Sequence, residues 1–164
     1  MGCLGVYFAL TDEDLRKVLD AATDEDRRAI ITDDIEDRWN EEWLFSTDQA
    51  WGGIHRCLSD GTLDNMKGEY PLKLAVLGGQ HLYGADDYII VLIAPDEAGD
   101  LAEALAGIEE GWLRSRYESH RFPDYGLEKC EDDFAYIWSY FEGLKRFIRK
   151  AADARRSVLF TAGQ

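Results

Sequence analysis

Positive charge is scarce in this chain. Eighteen lysines and arginines face 33 aspartates and glutamates over 164 residues, a formal net charge of −15. The deficit argues against a nucleic-acid binder, because phosphate contacts need a basic surface. Cysteine is sparse as well: Cys3, Cys57 and Cys130 are odd in number and far apart. No disulfide framework is expected from them, and free thiols in a reducing cytosol are. No Cys or His pair stands at ligand spacing, so neither a structural zinc nor another metal or cofactor is expected. No apolar run approaches the roughly 20 residues that a membrane helix needs. The start, Met1-Gly2-Cys3-Leu4-Gly5, has no basic region and leads straight into a strand-like run, unlike a secretory signal. Gly2 is followed by Val6 where a myristoylation motif wants serine or threonine. There is no Gly-x-Ser-x-Gly elbow, and Leu77-Gly78-Gly79-Gln80-His81 lacks the spacing of a phosphate loop.

What is present is a core. Apolar residues make up 46% and aromatics 12% of the chain. A chain of this length buries about 70% of its unfolded surface and folds as one domain without staples. The stretch Thr47–Gly61 organises the reading. Ala50, Trp51, Ile54, Cys57 and Leu58 recur three and four apart and share one helical face. Thr47 or Asp48 can cap the start and Gly61 the end. Gly52 and Gly53 each cost such a helix roughly 1 kcal/mol against alanine. A helix that keeps them lets a backbone or a ligand come close.

Around it, short apolar runs at 5–10, 72–77, 87–93 and 157–161 read as strands, although 72–77, apolar except for Lys73, also fits one helical turn closed by Gly78-Gly79. Thr11 and Thr23 start acidic helices, and the second keeps a helical period to about Phe45. Pro95 opens another helix. Glu131 to about Arg155 is a long helix with the stripe Phe134, Ile137, Trp138, Phe141, Leu144, Ile148, Ala151. The cations at its basic end, Lys145, Arg146, Arg149, Lys150, Arg155 and Arg156, suit the helix dipole and ion pairs better than an anion site. The sum is an α+β (or α/β) single domain over 1–164, with a small mixed sheet of about four strands packed with several helices. The long connections permit some parallel pairing.

Chemistry is thinly marked. His55 and His81 lie beside glycines, and with Asp48, Trp51 and Tyr83 they could line a pocket for a small ligand or a reaction. His55 and Cys57 project about 200° apart on a helix and cannot share a metal. Cys57 falls on the inner face, as an inert thiol does. Carboxylate pairs abound by chance in so acidic a chain; Asp86-Asp87, entering the strongest strand, is the pair to inspect. Trp39 and Trp43 on a surface helix could mark a dimer patch.

Three stretches together resemble one family. They are Leu4-Gly5-Val6-Tyr7-Phe8 after Met1-Gly2; Asp48-Gln49-Ala50-Trp51-x-x-Ile54-His55-x-x-Leu58-x-x-Gly61; and Pro71-Leu72-x-x-Ala75-Val76-Leu77-Gly78. In order and spacing they resemble the YfbM-like bacterial proteins, a domain of unknown function (DUF1877). Gln49 stands where that pattern more often has lysine, and Ser59-Asp60 where a threonine usually precedes the glycine. The resemblance implies a compact α+β domain in a bacterial cytosol and transfers no reaction, cofactor or catalytic residue.

With no catalytic signature, a non-catalytic interaction protein is the favoured expectation. An immunity-type protein whose acidic face covers a basic partner such as a toxin is its sharpest form. The acidity also has a plainer reading as solubility. The alternative is a small-ligand binder or enzyme with a pocket around Trp51, His55, His81 and Tyr83.

Overall fold

The structure, a computed structural model, describes residues 3–163, so the reading of Met1 and Gly2 lies outside the described residues. Five strands form one sheet in the order β2-β1-β5-β4-β3, where β1 is Gly5–Leu10, β2 Leu44–Asp48, β3 Gln80–His81, β4 Tyr88–Ile93 and β5 Ser157–Gly163. The fold class is α+β. The sheet differs from expectation in being wholly antiparallel: β5 pairs with β1 (Tyr7 opposite Phe160) and with β4 (Val91 opposite Phe160). The expectation of some parallel pairing rests on helical connections long enough for crossovers. The sheet is covered on both faces, but the helical connections from β1 to β2 and from β4 to β5 return the chain antiparallel to its neighbour, and the one carrying α3 crosses from edge strand β2 to edge strand β3.

Side chains alternate across it. Tyr7, Ala9, Val91, Ile93, Val158 and Phe160 point to one face. Phe8, Leu10, Ile90, Leu92 and Leu159 point to the other. The first face carries α3 (Trp51–Leu58), α4 (Pro95–Ala106), α5 (Glu110–Ser119) and α6 (Glu131–Asp153). The second carries Val18 of α1 (Asp12–Leu19) and, beyond α2 (Asp24–Ile30), the residues Ile31 and Ile35. α6 is roughly 35 Å long at 1.5 Å per residue and buries Phe134, Ile137, Phe141, Leu144 and Ile148.

Caps follow the residue types. Thr11 accepts from the Asp14 amide at 3.1 Å and Thr23 from the Asp26 amide at 3.1 Å. Pro95 opens α4, and Glu97 reaches back to the Ala94 amide at 2.9 Å.

Three local expectations are corrected. The acidic helix does not run to Phe45. It passes into a π-helical turn at Ile31–Glu36, stops at Trp39 with a left-handed φ of 42°, and yields to β2. Thr47 and Asp48 therefore end a strand and do not cap α3, which starts at Trp51 without a side-chain cap. Buried Thr47 instead donates to the Gly5 carbonyl at 2.9 Å. Finally, 72–77 is no strand: Leu72–Ala75 is a 3-10 turn whose Leu74 and Ala75 are buried. A six-residue apolar run fits either conformation, and periodicity alone does not decide between them.

Candidate functional site

α3 is buried nearly all round, which explains its composition. Ile54, Cys57 and Leu58 face the core. Gly53 is required by packing: a Cβ there would lie 2.5 Å from Ile137 Cδ1 on α6. Gly52 is not, since its Cβ would meet only Leu63 Cδ2 at 3.9 Å. It faces a cleft of about 500 Å³ between α3 and the loop before α6. Trp51, Gly52, Gly53 and Arg56 form one wall, and Asp124, Tyr125, Gly126 and Leu127 the other. That volume falls within the usual range of small-molecule sites.

Arg56 is the unusual side chain. It is only 3% exposed and pairs with no carboxylate among the described residues. Its Nη1 donates to the carbonyls of Gly61 (3.0 Å) and Pro123 (2.7 Å), and Nη2 reaches the Asp124 carbonyl at 3.5 Å. Nε finds no acceptor among the described residues. The guanidinium lies over the rings of Tyr125 (5.3 Å) and Phe122 (5.8 Å). Burial holds its pKa below the ordinary arginine value.

The facing loop is tightly held. Tyr125 Oη donates to Asp133 at 2.9 Å, Lys129 Nζ to the His120 carbonyl at 2.9 Å, and Phe122 packs edge-on against Tyr125 and Tyr117. Asp124 and Gly126 take left-handed φ of 56° and 75°.

The residues singled out in the sequence fall in different places. Trp51 lines the cleft, with its Nε1 donating to the Cys3 carbonyl at 2.8 Å. Asp48 lies close by in sequence, left-handed at φ 52°, and accepts from Tyr136 Oη at 2.6 Å. Burial and that carboxylate push the Tyr136 phenol up to about 12. His55, on α3 itself, is buried, with its Nε2 3.2 Å from the Asp64 carbonyl. His81 is on the short edge strand, with Nε2 2.7 Å from the Leu77 carbonyl. Tyr83 packs with the core of the opposite sheet face and accepts from Arg28 Nη1 at 3.0 Å. Trp51, His55, His81 and Tyr83 thus do not line one cavity. Asp87 pairs with Arg28 at 2.6 Å, which holds its carboxyl below the usual range. Asp86 makes no ion pair among the described residues.

Cys57 is fully buried, and burial pushes its thiol up to about 12, far from a reactive thiolate. Among the described residues no three His, Cys, Asp or Glu side chains gather as a metal site would. Nor is any helix there long and apolar enough to cross a membrane. Two of the late cations are engaged internally: Lys145 Nζ donates to the Ile108 carbonyl at 2.7 Å, and Arg149 pairs with Glu103 at 3.3 Å. Sequence reasoning missed Arg56. The available signal was a lone arginine on a glycine-bearing helix with no other cation.

His55 carries a pH prediction. Burial lowers its pKa in the folded state, so the unfolded chain binds the proton more readily. Stability from a neutral buried histidine is full above the unfolded pKa of about 6.5 and falls as pH drops below it. Between pH 6.5 and the lowered folded pKa, its slope is at most about 1.4 kcal/mol per pH unit. Melting curves of wild type and His55→Gln from pH 7.5 to 5 should converge as pH falls. Parallel curves would show that His55 does not titrate differently in the two states.

The comparisons with known proteins agree with this architecture. No curated protein matches the chain. Among solved structures it is similar to a protein of unknown function, YfbM from Escherichia coli, with 21% sequence identity and a TM-score of 0.70 over 97% of this chain and 99% of that one. At that identity the likeness shows the fold. The family described as "Domain of unknown function (DUF1877)" matches residues 1–161. The chain belongs to the DUF1877 family.

Proposed function

We propose that the protein works by non-catalytic binding, and that its acidic helical layer takes a basic protein partner. The observation that carries this is Trp39. It is 47% exposed, turned outward by its left-handed backbone, and set in the segment that covers one sheet face. Residues 11–42 hold thirteen carboxylates against five cations. Four of those cations are already paired within the protein, Lys17 with Asp34, Arg27 with Asp24, Arg28 with Asp87 and Arg38 with Asp14. An outward tryptophan with a charged rim is the make-up of an interface hot spot, and the surplus negative charge selects a basic surface. Trp43 does not add to the patch, because Arg156 and Lys150 lie over its ring at 3.7 and 4.3 Å. The narrower, immunity-type form of the proposal has this layer covering a basic toxin. The free thiols Cys3, Cys57 and Cys130 fit action in a reducing cytosol.

Lysate pull-downs with wild type, Trp39→Ala and the triple change Asp33→Asn, Asp34→Asn, Asp37→Asn test it. A basic protein retained at low salt and released as salt rises is expected with wild type. Trp39→Ala should weaken that protein's binding about thirtyfold, the effect of a hot spot of about 2 kcal/mol. A retained set that is the same for wild type and both variants would refute the acidic layer as the interface.

A further inference from the structure

We propose that the cleft between α3 and the 124–127 loop binds a small monocarboxylate with an apolar body, held by the Nε–Nη2 edge of Arg56. This site is on the opposite sheet face from the acidic layer, so its test does not depend on the partner reading. Three observations carry it.

The first is the edge itself. Nη1 of Arg56 is satisfied by two carbonyls, whereas among the described residues Nε has no acceptor and Nη2 has one at 3.5 Å. Nε and Nη2 are the parallel donors that a carboxylate takes in a forked pair. A buried cation without a counter-ion is costly, and an anion arriving in the cleft relieves that cost.

The second is Gly52. It weakens its helix, the protein's own packing does not need it, and it lines this cleft. A side chain there would project into the cavity. The third is the remaining lining. Trp51 and Tyr125 offer rings, and Leu63 and Leu127 flank the cleft at 39% and 60% exposure. An apolar ligand body would cover both leucines.

Charge narrows the class. Asp124 also lines the cleft, and the whole chain carries −15. A dianionic phosphate is repelled by both, whereas a carboxylate brings one charge to one guanidinium.

The test is an NMR titration of the full-length protein with phenylacetate, phenylethanol and inorganic phosphate, following Trp51 Nε1–H, the Gly52 amide and Arg56 Nε–H. Phenylacetate should shift all three resonances saturably in the millimolar range. Phenylethanol, which lacks the carboxylate, should bind at least about tenfold more weakly. Arg56→Lys keeps the charge without the fork and should lose about tenfold. Gly52→Leu fills the cavity with a better helix former, so it should abolish binding while the melting temperature is kept. Absence of any shift with phenylacetate overturns the proposal. So does equal binding of phenylethanol, tighter binding of phosphate, or a folded Gly52→Leu that binds as wild type does.

Discussion

Gly61→Ala is expected to destabilise the protein by about 4 kcal/mol and to lower its melting temperature by roughly 10 °C. Two costs combine. Gly61 sits at φ +95°, where an alanine is strained by about 1–2 kcal/mol. Its Cβ would also stand 2.1 Å from the Arg121 carbonyl oxygen. That contact is with backbone, so no rotamer change relieves it. Arg121 belongs to the loop that Arg56, Lys129 and Tyr125 fasten from both sides. Relief therefore means moving a cleft wall or the end of α3, and overpacking of that kind costs about 1–3 kcal/mol or more. The Gly61 amide bond to the Arg56 carbonyl at 3.0 Å would be strained with it. Gly52→Ala, on α3 itself, is the control: it should raise stability by about 1 kcal/mol, since its Cβ meets only Leu63. Thermal unfolding of the two variants side by side checks both signs. A Gly61→Ala protein that melts within 3 °C of wild type, about the effect of 1 kcal/mol, would show that the 120–127 loop yields freely.

Much of this architecture is legible in the sequence wherever one local signal dominates. Tyr88–Ile93 reads as a strand because its branched residues suit a sheet buried on both faces, and it is β4. The stripe from Phe134 to Ala151 is α6, and Thr11, Thr23 and Pro95 mark helix starts through specific backbone bonds and a fixed φ. The hidden elements are those decided by distant neighbours. β2 is five residues at the sheet edge, mostly half-buried, and nothing local in Leu44–Asp48 outweighs the helical period before it. What ends that period is the left-handed turn at Trp39, a conformation that no one would assign to tryptophan from propensity. β3 is two residues and exists through its pairing with Val91 and Leu92. At the site, the glycine pair does announce close approach, but the sequence does not say that Gly53 meets α6 and Gly52 the cleft. His55 and His81 are drawn to local carbonyls rather than to each other. Arg56 and Tyr125 are 69 positions apart, so their stacking is settled only when α3 and the 120–127 loop meet.

Arg56→Met should cost about 3 kcal/mol, and the direction is open to a real physical contest. Burying a charge without a counter-ion is expensive, and a methionine of similar length could be neutral or stabilising if desolvation dominated. Three features tip the balance against methionine. The two short bonds to Gly61 and Pro123 have a charged donor, and each such bond is worth about 1.5–3 kcal/mol. Removing it leaves those carbonyls without their donor, in a part of the fold that methionine cannot satisfy. The guanidinium also lies over Phe122 and Tyr125, and its loss takes two cation–π contacts of about 0.5–1 kcal/mol or more each. Against that total stands the cost of burying the charge, so the net is about half the gross. The loop should loosen before the core does, because among the described residues its side-chain hydrogen bonds from α3 come from Arg56, while Asp133 and Lys129 fasten its far end. Hydrogen exchange should therefore accelerate at 121–127 in Arg56→Met with the β1–β5–β4 strands still protected. If Arg56→Met proves as stable as wild type, with 121–127 unchanged, the guanidinium is not a structural clamp. Its burial without a carboxylate would then have to be explained by what the cleft receives.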